Sequence, residues 1–462
     1  MNSPRDQWSS SFGFVLAAAG SAIGLGNLWK FPFITWENDG GAFVLIYLLC
    51  IAAVGLPIMM AEVLVGRKTQ KSAVGALKEA VGPMWGFVGG WGVLAGLTIL
   101  SFYAVVAGWS VYYFLRTLQW SFTGFPSDLA AGDFFGAFVR NGALQLSFAA
   151  LFMGLTVWIV IAGIAKGIER VARIFLPVLM GILLLMLISA LTMDGAGEAL
   201  SFVFAPRFGD LTRSGVLEAL GHSFFTLSLG MGAMITYGSY LGRDQSVVGA
   251  SMAIVVLDTV IALLATVIMF SVIFSVPGMA EQVGQSTAGM LFISLPELFF
   301  NVVPFGRILG PLFYLLVALA ALTSTISLLE VVASYFIDER GMPRRKAVLV
   351  SGGTIFTLTI LAALSLGAVP ALSSFEFFEG KAGVFSTLDH FAANWMLPTG
   401  GFLITIAVGW FMTRESSEAE LVDENAPTWF NYGAWRFFIR FVAPVAVGAI
   451  LVSVIFFGGD FS

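Results

Sequence analysis

The chain has 462 residues, of which 58% are hydrophobic and only 11% are charged, and its formal net charge is −5. Soluble domains carry about 25% charged residues, so this composition indicates a protein that crosses a membrane several times. One cysteine and two histidines exclude a disulfide framework and a Cys- or His-rich metal centre, and the negative net charge without a long basic run argues against nucleic acid as a partner.

Apolar stretches long enough to cross a bilayer predict eleven transmembrane helices. With the N-terminus inside, sixteen Lys and Arg residues fall on the cytoplasmic side and six outside, which favours a cytoplasmic N-terminus and an extracellular C-terminus. The polar start "MNSPRDQWSS" lacks the apolar core of a signal peptide. The predicted spans are 12–36, 42–65, 84–116, 143–163, 167–192, 215–240, 248–276, 308–338, 346–366, 385–413 and 434–458.

Two of these spans contain glycine-rich breaks, "GSAIGLGN" at 20–27 and "TLSLGMG" at 226–232. Each glycine costs about 1 kcal/mol of helix propensity relative to alanine. The pattern Gly20-x-x-x-Gly24 alone is equally typical of close helix packing. Because each break opens a set of five helices, the pair predicts an inverted-repeat transporter whose unwound backbone binds ions and substrate.

The spans and breaks together predict the organisation of the chain. The acidic stretch "RESSEAELVDENAP" at 414–427 is expected to be solvated. We expect a cytoplasmic N-terminal segment (1–11), a first repeat (12–192), an extracellular loop (193–214), a second repeat (215–413), an acidic cytoplasmic loop (414–433), and an eleventh helix with a short extracellular C-terminus (434–462).

Six motifs resemble those of the neurotransmitter:sodium symporters, from Arg5 to about Asp389. They are "RDQW", "GSAIGLGNLWKFP", "GGAF", "KGIERVARIFLP", "GHSFFTLSLGMG" and "ALTSTIS". The resemblance implies an all-α membrane protein with the LeuT-like 5+5 inverted repeat, discontinuous helices 1 and 6, and eleven helices. It implies symport of a small amino acid with Na⁺ by alternating access, in the bacterial inner membrane, by a monomer or weak dimer and without enzymatic chemistry.

The resemblance also implies two sodium sites. Na⁺ is a hard ion, and at membrane depth only carbonyl, amide, hydroxyl and carboxylate oxygens can replace its water. The "LTSTIS" run taken alone fits hydroxyls bonded to their own helix backbone equally well. The first site maps to Ala22, Asn27, Thr226 and Asp258, and the second to Gly20, Ile23, Ala320, Thr323 and Ser324.

A substrate pocket and two gates follow from the same alignment of motifs. For Ile99, Met231 and Leu328 ordinary core packing is an equal alternative, and Arg5 and Asp338 could be two solvated charges. Tyr103 and the amides near Leu25 and Gly26 would hold the substrate carboxylate. The pocket maps to Ser21, Ala22, Leu25, Gly26, Ile99, Tyr103, Phe225, Thr226, Ser228, Met231, Ser324 and Leu328; the outer gate to Lys30, Asp389, Tyr103 and Phe225; the inner gate to Arg5, Trp8, Ser239, Tyr240 and Asp338.

Several positions depart from the family pattern. Amine carriers have an aspartate where this chain has Gly24, so a substrate that brings its own carboxylate is favoured. Asp258 and Ala262 replace the asparagine and serine of chloride-dependent members, which predicts transport without chloride. Lys30 replaces an arginine and cannot form a bidentate pair with Asp389.

Three further features of the spans have a functional and a structural interpretation. His222 replaces a glutamine and could couple protonation to Asp258, or be a neutral core histidine. Gly167 and Pro177 could let helix five unwind, or mark a helix start and a packing kink. Glu62 at membrane depth is expected to cap unwound backbone.

Other functions are less consistent with the sequence. A membrane enzyme would need a catalytic motif such as HExxH or a nucleophile elbow, and neither is present. A channel would show charged rings or pore symmetry. A carrier of another zwitterion, of the proline, betaine or taurine type, and a non-transporting sensor on the same fold stay open.

Overall fold

The computed structural model describes residues 6–126, 131–209, 211–276 and 290–461. Within these ranges the chain is helical and forms no β-strand, only an isolated antiparallel bridge between Glu376 and Ala382. The prediction of an all-α membrane protein is therefore confirmed for the described residues. Arg5, predicted for the inner gate, lies outside them.

Helices in the first half begin at polar caps or after glycine. Ser10 starts the first helix, because its hydroxyl accepts a hydrogen bond from the Gly13 amide at 3.0 Å. Asn141 caps a later one in the same way. The helices are α1 (Ser11–Ala22), α2 (Gly26–Glu37), α3 (Gly41–Thr69), α4 (Ala73–Ala80), α5 (Pro83–Thr123), α6 (Ala131–Arg140), α7 (Gly142–Ile161), α8 (Ile164–Ala190) and α9 (Ala196–Phe204).

Several helices of the second half also begin at polar caps. The Thr212 and Ser246 hydroxyls cap two helices. The helices are α10 (Arg213–Thr226), α11 (Ala233–Gly238), α12 (Val247–Phe274), α13 (Leu291–Asn301), α14 (Gly306–Arg340), α15 (Arg344–Leu364), α16 (Pro370–Ser373), α17 (Val384–Phe411), α18 (Arg414–Leu421) and α19 (Tyr432–Phe457).

Nine helices among the described residues are long and apolar enough to cross a membrane, or ten if the bent pair α1 and α2 counts as one span. The predicted span 215–240 corresponds to α10 and α11, and neither is long enough to be counted alone. Length and hydropathy thus support a multi-pass membrane protein.

The two central helices, α5 and α14, pack against each other along much of their length. Glycines let α11 approach α3 closely. A Cβ on Gly66 would lie 2.0 Å from the Ile235 carbonyl oxygen, and one on Gly238 would lie 2.7 Å from that of Val63. Backbone contact of this kind is typical of helix pairs in membranes, and it fixes α11 beside the broken region of the chain.

The acidic stretch 414–427 is largely accessible to solvent, as expected, but it is not only a loop. Part of it forms α18, and the Arg67 side chain at the end of α3, which is 3% exposed, binds Glu420 and Asp423 at 3.0 Å each. The Arg67 guanidinium also donates to the Gln245 and Glu420 carbonyl oxygens. Composition does not reveal this contact, because Arg67 lies more than 350 residues earlier in the chain.

The start of α8 is irregular where the Gly167–Pro177 pair was noted. Residues Ile164–Glu169 form a π-helical turn, and Pro177 lies inside the helix that follows. A Cβ on Gly167 would lie 2.2 Å from the Ile159 carbonyl oxygen, so the turn needs glycine there. The Glu169 carboxylate accepts hydrogen bonds from the amide and hydroxyl of Ser9, which ties this turn to the N-terminal segment.

Candidate ion and substrate site

The first break lies between α1 and α2, which are bent by 51°. Gly24 sits in the break, and its amide donates to the Asn27 Oδ1 at 3.0 Å. The next amide, of Leu25, donates to the Tyr103 hydroxyl at 3.1 Å. Two donors freed by the break are therefore satisfied by side chains rather than left unpaired in the membrane.

The second break lies between α10 and α11 and depends on left-handed backbone. Ser228, Gly230 and Gly232 have φ of 54°, 80° and 73°. A Cβ at position 230 would lie 2.5 Å from the Leu397 carbonyl oxygen, so glycine is required there. The Gly230 amide donates to Oε1 of the fully buried Glu62 at 2.7 Å. Glu62 thus binds unwound backbone, in the manner that the sequence led us to expect.

Three residues of the predicted first sodium site lie in contact. Thr226, at the end of α10, donates its hydroxyl to the Asp258 carboxylate at 3.0 and 3.1 Å. The Asn27 amide nitrogen donates to Asp258 Oδ1 at 2.7 Å and to the Thr226 hydroxyl at 3.1 Å. All three are at most 1% exposed. Amide, hydroxyl and carboxylate oxygens are the ligands that suit a hard cation, so this donor set fits Na⁺.

The predicted second site lies where α1 packs on α14. A Cβ on Gly20 would lie 3.1 Å from the Thr323 Cβ, which shows how closely the two helices meet. The Thr323 hydroxyl donates to the Ala320 carbonyl oxygen at 2.9 Å, and the Ser324 hydroxyl lies 3.3 Å from the same oxygen. Ile23 is fully buried at the end of α1. Hydroxyl and carbonyl oxygens again form the donor set.

A cavity lies between the two breaks. Every residue predicted for the substrate pocket lines it. Three further lining residues, Gly24, Ser327 and Leu397, were not predicted. Ser327 could have been predicted from the sequence, because it lies one turn after Ser324. Its hydroxyl accepts a hydrogen bond from the Ser21 hydroxyl at 2.7 Å. For Leu397 the sequence offers no signal beyond an apolar residue in an apolar span.

The cavity lining combines polar groups with apolar side chains. The Tyr103 hydroxyl accepts a hydrogen bond from the Leu25 amide. The Ser228 hydroxyl donates to the Ser21 carbonyl oxygen at 3.0 Å and joins the two breaks. The apolar lining includes the side chains of Ile99, Met231, Leu328 and Leu397.

On the side of the predicted inner gate the path is packed shut. Trp8 is 5% exposed, and its indole nitrogen donates to the Tyr237 carbonyl oxygen at 2.9 Å. The Tyr240 hydroxyl donates to Glu330 at 2.6 Å, and Ser239 is fully buried. Asp338 accepts from the Ser72 amide at 2.6 Å.

The predicted outer gate is arranged differently from a simple ion pair. Lys30 and Asp389 do not lie within 4 Å of each other in the described structure. The Lys30 ammonium instead donates to the Phe461 carbonyl oxygen and lies 5.1 Å from the centre of the Phe225 ring. The residues after α19 therefore take part in this gate, and sequence reasoning did not predict them because they follow the last apolar span.

His222 does not hydrogen-bond to Asp258 in the described structure. Its ring stacks on Phe31 at 5.5 Å between centroids and lies 5.7 Å from the Tyr47 ring. Neither ring nitrogen has a hydrogen-bond partner in the described part of the chain. A role of His222 in proton coupling therefore stays a prediction.

Comparison with known proteins supports the family resemblance. The model of the sodium:neurotransmitter symporter family matches residues 5–124 and 135–458. The sodium-dependent transporter YhdH of Bacillus subtilis is 37% identical over 97% of each chain. A sodium-dependent transporter of Methanocaldococcus jannaschii is 30% identical over 98% of this chain and 90% of its own. The crystal structure of MhsT in complex with L-phenylalanine superposes with a TM-score of 0.88 at 39% identity, covering 98% of this chain and all of the other.

The breaks, the cavity between them and these matches lead to the same conclusion. The chain belongs to the sodium:neurotransmitter symporter family and has the LeuT-like fold.

Proposed function

We propose that the protein carries a small, hydrophobic L-amino acid together with Na⁺ by alternating access, with no requirement for chloride. It crosses the membrane eleven times as two inverted repeats, 12–192 and 215–413, with a cytoplasmic N-terminus. The observation that carries the proposal concerns Thr226. It lines the cavity, and its hydroxyl also donates to Asp258 in the predicted first sodium site. Because ion and substrate share coordinating elements, binding of one favours the other by the same free energy.

The charge of the cavity supports a zwitterion. None of the described residues that line it has a charged side chain. A cationic amine would need a carboxylate, and at Gly24 there is no room for one, since even a Cβ would lie 2.7 Å from the Ser324 Oγ. An amino acid brings its own carboxylate, which the Tyr103 hydroxyl and the amides near Leu25 can bind. Na⁺ at the predicted first sodium site would balance the negative charge of that carboxylate.

The apolar part of the cavity lining supports a substrate with a hydrophobic side chain. Ile99, Leu328 and Leu397 give it fixed walls, and the flexible Met231 adapts to ligands of different size. MhsT, whose structure holds L-phenylalanine, is similar over the whole chain. L-Phenylalanine is therefore the first substrate to test.

The fully buried Asp258 supports transport without chloride. A fixed carboxylate beside the first ion cluster provides the negative charge that chloride would otherwise supply. We expect equal uptake in sodium chloride and sodium gluconate. If uptake collapses in gluconate and chloride restores it, this part of the proposal is wrong.

A Na⁺ gradient across proteoliposomes tests the proposal as a whole. Saturable uptake of L-phenylalanine that requires inward Na⁺ is expected, and K⁺ should not replace it. Thermal unfolding with each of the twenty amino acids, in Na⁺ and in K⁺, then identifies the ligand, because a ligand that binds only the folded state raises stability by RT ln(1 + [L]/Kd). If no amino acid raises the unfolding temperature more in Na⁺ than in K⁺, the proposed substrate class is wrong, and betaine, proline or taurine should be tried.

A further inference from the structure

The residues that follow α19 turn back into the outer gate. Gly458 ends the helix with a left-handed φ of 66°, and the Gly459 amide donates to the Ser453 carbonyl oxygen at 3.0 Å. The turn directs Asp460 and Phe461 towards the first half of α17 and towards Lys30 on α2.

Asp460 binds the polar side chains that surround the gate. Its carboxylate pairs with Lys381 at 2.5 Å and accepts from the Asn394 amide nitrogen at 2.9 Å. The His390 Nδ1 lies 3.4 Å from the same carboxylate. Three side chains from the region around the start of α17 therefore hold one residue of the following segment.

Phe461 closes the remaining space. Its amide donates to the Asn394 Oδ1 at 2.6 Å, and its carbonyl oxygen accepts from Lys30. Its ring packs on α10 so tightly that a Cβ on Gly221 would lie 3.3 Å from the ring. The backbone of Phe461 thus bridges α2 and α17, which carry the two residues predicted to pair in the gate.

The position of the ring relates this segment to the substrate. Phe461 lines a second, small cavity together with Lys30 and Phe225. Phe225 and Leu397 line both this cavity and the substrate cavity. The Phe461 ring therefore lies on the outer side of the Phe225 side chain. A ligand would pass this point to reach the substrate cavity.

We propose that residues 459–461 are the outer lid of the transport path, and that this lid must leave Lys30, Lys381 and Asn394 before substrate enters. The inference rests on the proposed function, which makes this cavity an entry path. In the closed state the lid binds Lys30 through the Phe461 carbonyl oxygen, where an ion pair with Asp389 was expected.

The experiment measures how fast a cysteine behind the lid reacts. Cys50 is the single cysteine of the chain, so Cys50→Ala removes it, and Ala393→Cys places a thiol in the second cavity. Labelling by a polar maleimide in nanodiscs is then compared between the full chain and a chain ending at Phe457. We expect about three- to tenfold faster labelling without the lid. The truncation removes the partly exposed ion pair between Lys381 and Asp460 and the hydrogen bonds of Asn394 to residues 460 and 461.

Point variants keep the test independent of truncation. Asp460→Asn and Phe461→Ala should each accelerate labelling, and Gly221→Ala should do so only when Phe461 is present. Glu418→Gln, which breaks the exposed pair with Arg414, is the control and should change nothing.

The two proposals fail in different ways. Labelling rates within about twofold of the full chain for both the truncated and the Phe461→Ala proteins would overturn the lid. Labelling does not require transport. If the truncated protein is labelled faster but the full chain takes up no amino acid, the lid proposal is supported and the proposed function is wrong.

Discussion

Gly24→Ala should weaken substrate binding without unfolding the protein. The new methyl group would lie 2.7 Å from the Ser324 Oγ and 2.9 Å from the Tyr103 hydroxyl oxygen. The serine hydroxyl can rotate away, but the tyrosine hydroxyl is fixed to a rigid, buried ring. We expect the ring to move by roughly half an ångström, since carbon and oxygen repel steeply at such distances.

The size of the effect follows from the hydrogen bond that the Tyr103 hydroxyl would donate to the substrate carboxylate. The Leu25 amide donates to this hydroxyl at 3.1 Å, and half an ångström more takes the hydroxyl out of the position that this bond fixes. A hydrogen bond to a charged group contributes about 1.5–3 kcal/mol. At 1.4 kcal/mol per factor of ten, losing it should raise the Kd of an amino acid in Na⁺ by about 12- to 140-fold.

Equilibrium binding of radiolabelled L-phenylalanine to purified protein measures this Kd. Gly96→Ala is the matched control, because its Cβ would meet nothing closer than 3.6 Å. In a Tyr103→Phe background the hydroxyl is absent, so Gly24→Ala should add little further loss. Fully additive losses, or a Gly24→Ala Kd within twofold of the parent, would refute the reasoning.

Three other variants test separate contacts. Glu62→Ala should lower the free energy of unfolding by about 1–3 kcal/mol, because it leaves the Gly230 amide unpaired, and should lower the unfolding temperature in detergent. Glu62→Gln keeps an acceptor and should unfold near the temperature of the parent. Equal unfolding temperatures for the two variants would contradict this. Arg67→Ala should release the segment containing Glu420, so limited proteolysis should cut residues 414–427 faster, and an unchanged rate would show that the contact does not hold the segment. If His222 couples protons, His222→Gln should flatten the dependence of uptake on pH, and an unaltered profile would remove that role.

The sequence predicted the breaks and the cluster of Asn27, Thr226 and Asp258 because rare residues mark them. Asn27 and Asp258 are polar groups at membrane depth, and such groups are too costly in hydrocarbon to be kept without a partner. Gly230 stands out for a different reason, because glycine weakens a helix that must span the bilayer. The family motifs then assigned each residue to a site, which spacing alone could not do.

The contacts that sequence reasoning missed join distant segments without a periodic signal. Arg67 reads as an ordinary basic residue at a helix end, and its partner Glu420 lies in a stretch whose composition indicates solvation. Phe461 follows the last apolar span and belongs to no motif. Leu397 is one apolar residue among many. In each case the information lies in three-dimensional proximity, which apolar periodicity and charge counts do not encode.

The contacts that stabilise the breaks also explain how binding can be coupled to movement. Three backbone amides at the breaks are paired with side chains: Gly24 with Asn27, which binds α12 through Asp258; Leu25 with Tyr103 on α5; Gly230 with Glu62 on α3. Gly24, Leu25 and Tyr103 line the cavity, so a shift of α5 changes the position of groups that face it. Conversely, a ligand that binds there would favour one arrangement of α5 and the first break, because unpaired backbone in a membrane costs too much for these pairs to separate independently. Under the proposed function, the pairs at the first break would therefore couple binding in the cavity to helix movement.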